Sequence, residues 1–203
     1  MIEIPTDLPP EIVPISWLLG VWEGTGVVEY EVHGEQRVHP FRQRVSFSHD
    51  GLGYLNYSAF VWLQEGEGDF PETTPLTAET GYWRIARERD DSDTGPGYLP
   101  PSAPSKIADA DAVEGLRGED NAFPLEVSIA HPTGVVELYL GSIRGPRIDL
   151  ASDAIVRSAG AKEHTASTRM YGLVGGKLLW AWDIAALGQE LATHASGQLE
   201  KVD

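Results

Sequence analysis

From residue 20 onward, apolar and polar positions alternate in short runs: 20–32, 38–48, 53–63, 79–87, 125–130, 134–141, 147–151, 164–173, 177–185 and 190–202. Each run is rich in Val, Ile, Tyr, Phe, Trp or Thr and is bounded by Gly, Pro, Asp or His, as expected of strands separated by turns. Strands that follow one another through tight turns, such as the one expected at His49-Asp50-Gly51, pair antiparallel. No segment has the periodicity of a long helix. Residues 11–19 predict one short helical turn, limited by Pro14, that plugs an end of the fold with Trp17 and Leu18. The predicted fold class is all-β, an antiparallel barrel of about ten strands with room for a ligand, since about eight strands already enclose a small one.

The first strand opens with Gly20-Val21-Trp22-Glu23-Gly24-Thr25-Gly26. Glycine is poor in a strand unless the backbone bends sharply or another chain segment comes close. A phosphate-cradling loop would need a helix next, but Val27-Val28-Glu29-Tyr30-Glu31-Val32 alternates like a strand. The heptad is therefore expected at the seam where the first strand meets the last.

The alternation stops between about 88 and 122, where an acidic run leads into Gly95-Pro96-Gly97 and Pro100-Pro101. Such composition buries little apolar surface, so it predicts a mobile insertion within one domain spanning 1–203.

The 203 residues carry a formal net charge of −16, which repels nucleic acid and anionic membrane surfaces. With no cysteine, disulfides and thiolate sites are excluded. The first residues lack a signal-peptide pattern and no run is long enough to span a bilayer, so a cytoplasmic location is expected.

Chemistry therefore falls to other side chains. Of the six histidines, His33, His49 and His131 adjoin turn residues, where exposure to solvent is expected. No pair has the helical spacing of a zinc protease. Ser46, Ser128 and Ser196 lack the glycine-flanked setting of a nucleophilic elbow. Glu126 and Glu137 could pair across neighbouring strands, but in so acidic a chain they read as surface charges. His194 has a different context, because Ala192, Ala195, Ser196 and Gly197 leave room beside it for something large and flat. Strand parity does not settle its direction: Leu191 and Leu199 have the opposite parity.

The heptad resembles the Gly-x-Trp-x-Gly-x-Gly signature of the nitrobindins, haem proteins with a calycin-like, fatty-acid-binding-protein-like barrel. Blocks at 45–57, 76–84 and 130–137 are similar to further segments of that family, and 187–194 fits its proximal-ligand segment. The resemblance implies haem b, with His194 as the proximal iron ligand and Thr77 and Trp182 at the cofactor. Trp22, Tyr82 and Trp180 are further candidates for the pocket wall. It also implies binding of nitric oxide and, on ferric haem, isomerisation of peroxynitrite to nitrate by O–O cleavage and recombination. Three departures stand out: the family's Pro-Thr-Ile-Glu-Pro segment is replaced by residues 31–39, Thr77 stands where many members carry a distal histidine, and the insertion at 88–122 is longer than the family's usual connection. An open sixth iron position is then expected. The same barrel could instead carry a fatty acid, its carboxylate met by Arg84 or Arg169, or bind nothing tightly. A monomer or a homodimer fits either case.

Overall fold

The structure, a computed structural model, describes residues 8–32, 34–65 and 72–202. Ten strands follow in chain order: β1 (Gly20–Val32), β2 (Glu35–Ser48), β3 (Leu55–Glu65), β4 (Glu72–Ile85), β5 (Phe123–His131), β6 (Val135–Arg144), β7 (Arg147–Arg157), β8 (His164–Val174), β9 (Lys177–Ala186) and β10 (Ala192–Lys201). Each pairs antiparallel with its sequence neighbour, and β1 pairs with β10 to close the barrel. The expected fold class is the observed one. The connection from β2 to β3 is longer than the hairpin expected at 49–51, occupying residues 49–54.

The glycine heptad forms the closing seam, with Gly24 opposite Leu199 and Gly26 opposite Gly197. A Cβ on Gly24 would strike the Gln198 carbonyl, and one on Gly26 would strike both the Ser196 carbonyl and the Phe41 ring. These glycines are thus required by close approach of β10 and by the aromatic packed over β1. Trp22 is fully buried and donates from Nε1 to the Leu18 carbonyl at 2.7 Å, tying the seam to the segment before it.

That segment is a 3₁₀ helix, Pro10–Leu18, and Pro14 lies within it instead of ending it. It plugs the barrel with Ile12, Ile15 and Leu18, each fully buried, while Trp17 is only partly buried. The core is continuous from this plug through Phe47, Leu55, Trp83 and Ile129.

Between β4 and β5 the chain forms hydrogen-bonded turns, a short 3₁₀ helix (Pro96–Tyr98) and one short α-helix, α1 (Ala110–Glu114). The Asp109 side chain caps α1 by accepting from the Ala112 N–H, and Val113 is buried in the core. Arg87 staples this segment to the plug, pairing with Glu11 at 2.8 Å and Asp93 at 2.6 Å. His33 and residues 1–7 lie outside the described residues.

Candidate functional site

A cavity with about 680 Å³ of empty space opens at the end away from the plug. That figure includes open solvent at the mouth; the cavity proper holds about 120 Å³, below the roughly 300–1,000 Å³ of typical small-molecule sites. Val28, Phe41, Val61, Leu76, Trp180 and Trp182 give it apolar walls, and His194 and Thr77 both line it. Three of the residues expected at the site, His194, Thr77 and Trp182, therefore meet in one place.

A β-bulge places His194. Thr193 pairs with Asp183 and Ala195 with Trp182, so His194 is the extra residue on β10. An extra residue resets strand alternation, which lets His194 and Ala195 both line the cavity despite their adjacent positions. The parity conflict with Leu199 disappears at this point. The imidazole meets Trp182 edge-on, with centroids 5.9 Å apart and planes at 90°. Burial lowers its pKa, with His164 nearby adding to the effect, while a hydrogen bond to the Glu29 backbone opposes it. His194 is consequently neutral near pH 7, the protonation state in which imidazole binds metals. An open groove lined by Tyr30, Leu187, Glu29, Glu31 and Glu190 lies on its other side.

The space expected beside Gly197 is already filled: a Cβ there would lie 2.8 Å from the Trp180 indole nitrogen. Trp180 stacks on Phe41 at 5.9 Å, so these two rings form the wall over the small residues of β1 and β10. The Nε1 atoms of Trp180 and Trp182 and Oε1 of Gln43 are buried with no hydrogen-bond partner among the described residues. All three residues line the cavity, whose occupant could meet them. Thr77 lies at its exposed rim.

Other expectations are corrected. Tyr82 is 55% exposed and packs outside the barrel against Tyr54, because adjacent strand residues face opposite ways and Trp83 takes the interior. Trp22 belongs to the plugged end and does not line the cavity. Arg84 is also outside, paired with Glu126. Glu137 is fully buried and His131 nearly so, contrary to their reading as surface residues.

These last two belong to a polar network that sequence reasoning missed. Arg169 donates to both Glu79 carboxylate oxygens, at 2.8 and 2.9 Å, and from Nε to the Tyr139 hydroxyl at 3.0 Å. Its guanidinium carbon lies 4.2 Å from the centroid of the Trp182 ring. Tyr57 also donates to Glu79, at 2.8 Å. Glu137 accepts from His131 Nε2 at 2.7 Å and from Ser167 Oγ at 2.5 Å. Since Ser167 spends its proton there, Tyr139 donates to Ser167 across 2.8 Å. Burial pushes the Glu137 carboxyl up, but the His131 hydrogen bond, Arg169 and Ser167 outweigh it and bring it down to about 2. In Glu79 burial is likewise overcome, chiefly by Arg169, so both carboxylates are ionised.

A family model described as "THAP4-like, heme-binding beta-barrel domain" matches residues 11–201. The chain belongs to this haem-binding barrel family. The Leifsonia xyli subsp. xyli protein named "Peroxynitrite isomerase" is 57% identical over the full length of both chains. A Kocuria rhizophila protein of the same name is 51% identical, covering 100% of this chain and 96% of its own. The structure of Rv2717c from M. tuberculosis superposes with a TM-score of 0.66 at 26% identity, covering 97% of this chain and 99% of that one. Within this haem-binding family, the chain combines an apolar cavity with a neutral imidazole on its wall, a donor set suited to iron in an apolar macrocycle. No helix among the described residues is long and apolar enough to cross a membrane.

Proposed function

We propose that the chain holds haem b in this cavity through His194 and isomerises peroxynitrite to nitrate, the activity for which its relatives are named. The observation that carries this reading is the bulge that turns a neutral, half-buried imidazole into a largely apolar cavity. Bound ferric haem would supply a Lewis-acidic centre that weakens the peroxo O–O bond. The protein's residues do the rest. The Glu29 backbone beside the imidazole would favour the tautomer that donates to it, leaving the other ring nitrogen for the metal. Trp182 packs edge-on against the ring and limits its rotation. Thr77 at the rim offers a short side chain in place of a bulkier imidazole, which would leave room beside the cofactor for a small anion or nitric oxide. Peroxynitrite and nitrate contain the same atoms and charge, so this reaction consumes no reductant.

The carrier alternative needs a free cation inside the barrel. Arg169 faces inward, but Glu79 already occupies it on two hydrogen bonds, while Arg84 faces outward. A fatty-acid carboxylate would have to displace a buried carboxylate from its partner, which costs several kcal/mol.

Titrating purified protein with hemin tests the reading. A sharp Soret band is expected, and it is lost or strongly shifted in His194→Ala. An identical spectrum in that variant would overturn the assignment of the ligand.

A further inference from the structure

The cavity wall buries more charge than haem ligation uses. Glu79 and Arg169 line the cavity, and Glu137 is fully buried behind them, with one of its oxygens 3.6 Å from Arg169. Two carboxylates face one guanidinium. The histidines beside them do not reverse the balance. Burial lowers the pKa of His164, keeping it neutral near pH 7, so the three charged groups Glu79, Glu137 and Arg169 together carry one net negative charge.

The cluster reaches His194 through Trp182 and through His164, which lies 3.3 Å from Glu137. That indole carries Arg169 over its ring at 4.2 Å, His131 stacked at 5.8 Å and 11°, and His194 at its edge. At such depth charges are weakly screened by solvent and salt. Ferric haem carries one positive charge more than ferrous haem. Nearby buried carboxylates therefore stabilise the ferric form, and a buried guanidinium opposes them.

We propose that Glu79, Glu137 and Arg169 set the redox bias of haem held at His194, the carboxylates favouring the ferric state and Arg169 trimming that preference. The inference rests on the haem reading above. Its consequence is that the reaction, which needs ferric haem and no electrons, is protected from reduction that would divert the site.

The test is the ferric/ferrous midpoint of hemin-loaded protein, measured at fixed pH with an added chemical reductant and redox mediators. Glu137→Gln is expected to shift the midpoint upward and Arg169→Gln downward. The double variant Glu79→Gln/Arg169→Gln removes one charge of each sign, keeps a hydrogen-bonded pair in place and is expected to stay near the wild-type value. Adding Glu137→Gln to that background again moves it upward, so the test survives if a single variant fails to fold. Structural disturbance would not produce shifts of opposite sign. An unmoved midpoint on loss of Glu137 in both backgrounds, or shifts of one sign throughout, would overturn the inference while the Soret band still supports haem binding. Absence of a Soret band in the wild-type protein would overturn the haem reading and this inference with it.

Discussion

His194 and Trp182 meet at right angles, their ring centroids 5.9 Å apart, where β10 gains one residue over β9. The indole is held in turn by Arg169 over its ring and His131 stacked on it, so the orientation of the histidine is built into the core. Aromatic pairs contribute about 0.5–1.5 kcal/mol beyond the area they bury. Trp182→Ala is therefore expected to weaken hemin binding by up to about tenfold. Trp182→Phe should retain most of the affinity. Parallel hemin titrations of the two variants measure the difference.

The seam offers a stability test independent of haem. Gly26 faces both the Ser196 carbonyl and the Phe41 ring, with no space for a side chain. Gly26→Val should lower unfolding free energy by about 1–3 kcal/mol, the usual cost of overpacking, or prevent folding. Urea denaturation checks this. Gly34→Ala is less informative, because its positive φ of 82° strains any side chain even though the space around it is open.

Most of the barrel was legible because alternation reports which face of a strand is buried, and each of the ten strands carries that alternation over some of its length. His194 was legible through its small neighbours and the family resemblance, but its direction was not, since a bulge leaves no mark in residue type. The charged network was illegible for a different reason. Glu79, Glu137 and Arg169 come from β4, β6 and β8, and in a chain of net charge −16 each reads as one more surface charge. One weak signal existed: Glu137 and Arg169 share strand parity with the inward-facing Tyr139 and Tyr171.

The insertion should depend on its staple. Arg87 is nearly buried between Glu11 of the plug and Asp93 of the segment after β4, and its removal leaves both carboxylates without that partner. Hydrogen bonds to charged groups contribute about 1.5–3 kcal/mol, so Arg87→Ala is expected to lower stability by roughly that amount. It should also speed proteolysis within residues 88–122 while leaving hemin affinity nearly unchanged. Limited proteolysis followed by mass spectrometry checks the site of cleavage.

Acid sensitivity should follow Glu137. Its carboxyl is held at about 2 in the folded protein against an ordinary value of 4.5. A depressed carboxyl contributes stability that is fully present above the unfolded value and is lost as pH falls toward the folded one. The window is therefore about pH 4.5 down to about 2. A shift of this size corresponds to about 3 kcal/mol. Glu137→Gln should flatten the fall in stability across that window and lower stability at pH 7, because His131 and Ser167 then face an uncharged amide. Chemical denaturation at a series of pH values checks both parts.

The side of His194 that receives the macrocycle can be tested by filling space. Ala195 follows it on β10 and lines the inner cavity, whereas Leu187 lies in the outer groove and is 65% exposed. Ala195→Phe projects a ring into the inner cavity beside the imidazole, and it is expected to cut hemin affinity by more than tenfold while the apo-protein keeps its cooperative unfolding. Leu187→Trp fills the outer groove and should leave the titration close to that of the wild type. The reverse outcome, with the outer substitution blocking hemin and the inner one silent, would move the macrocycle to the acidic groove. There, Glu29, Glu31 and Glu190 would face its propionates with charge of the same sign, which is the electrostatic reason to expect the inner site.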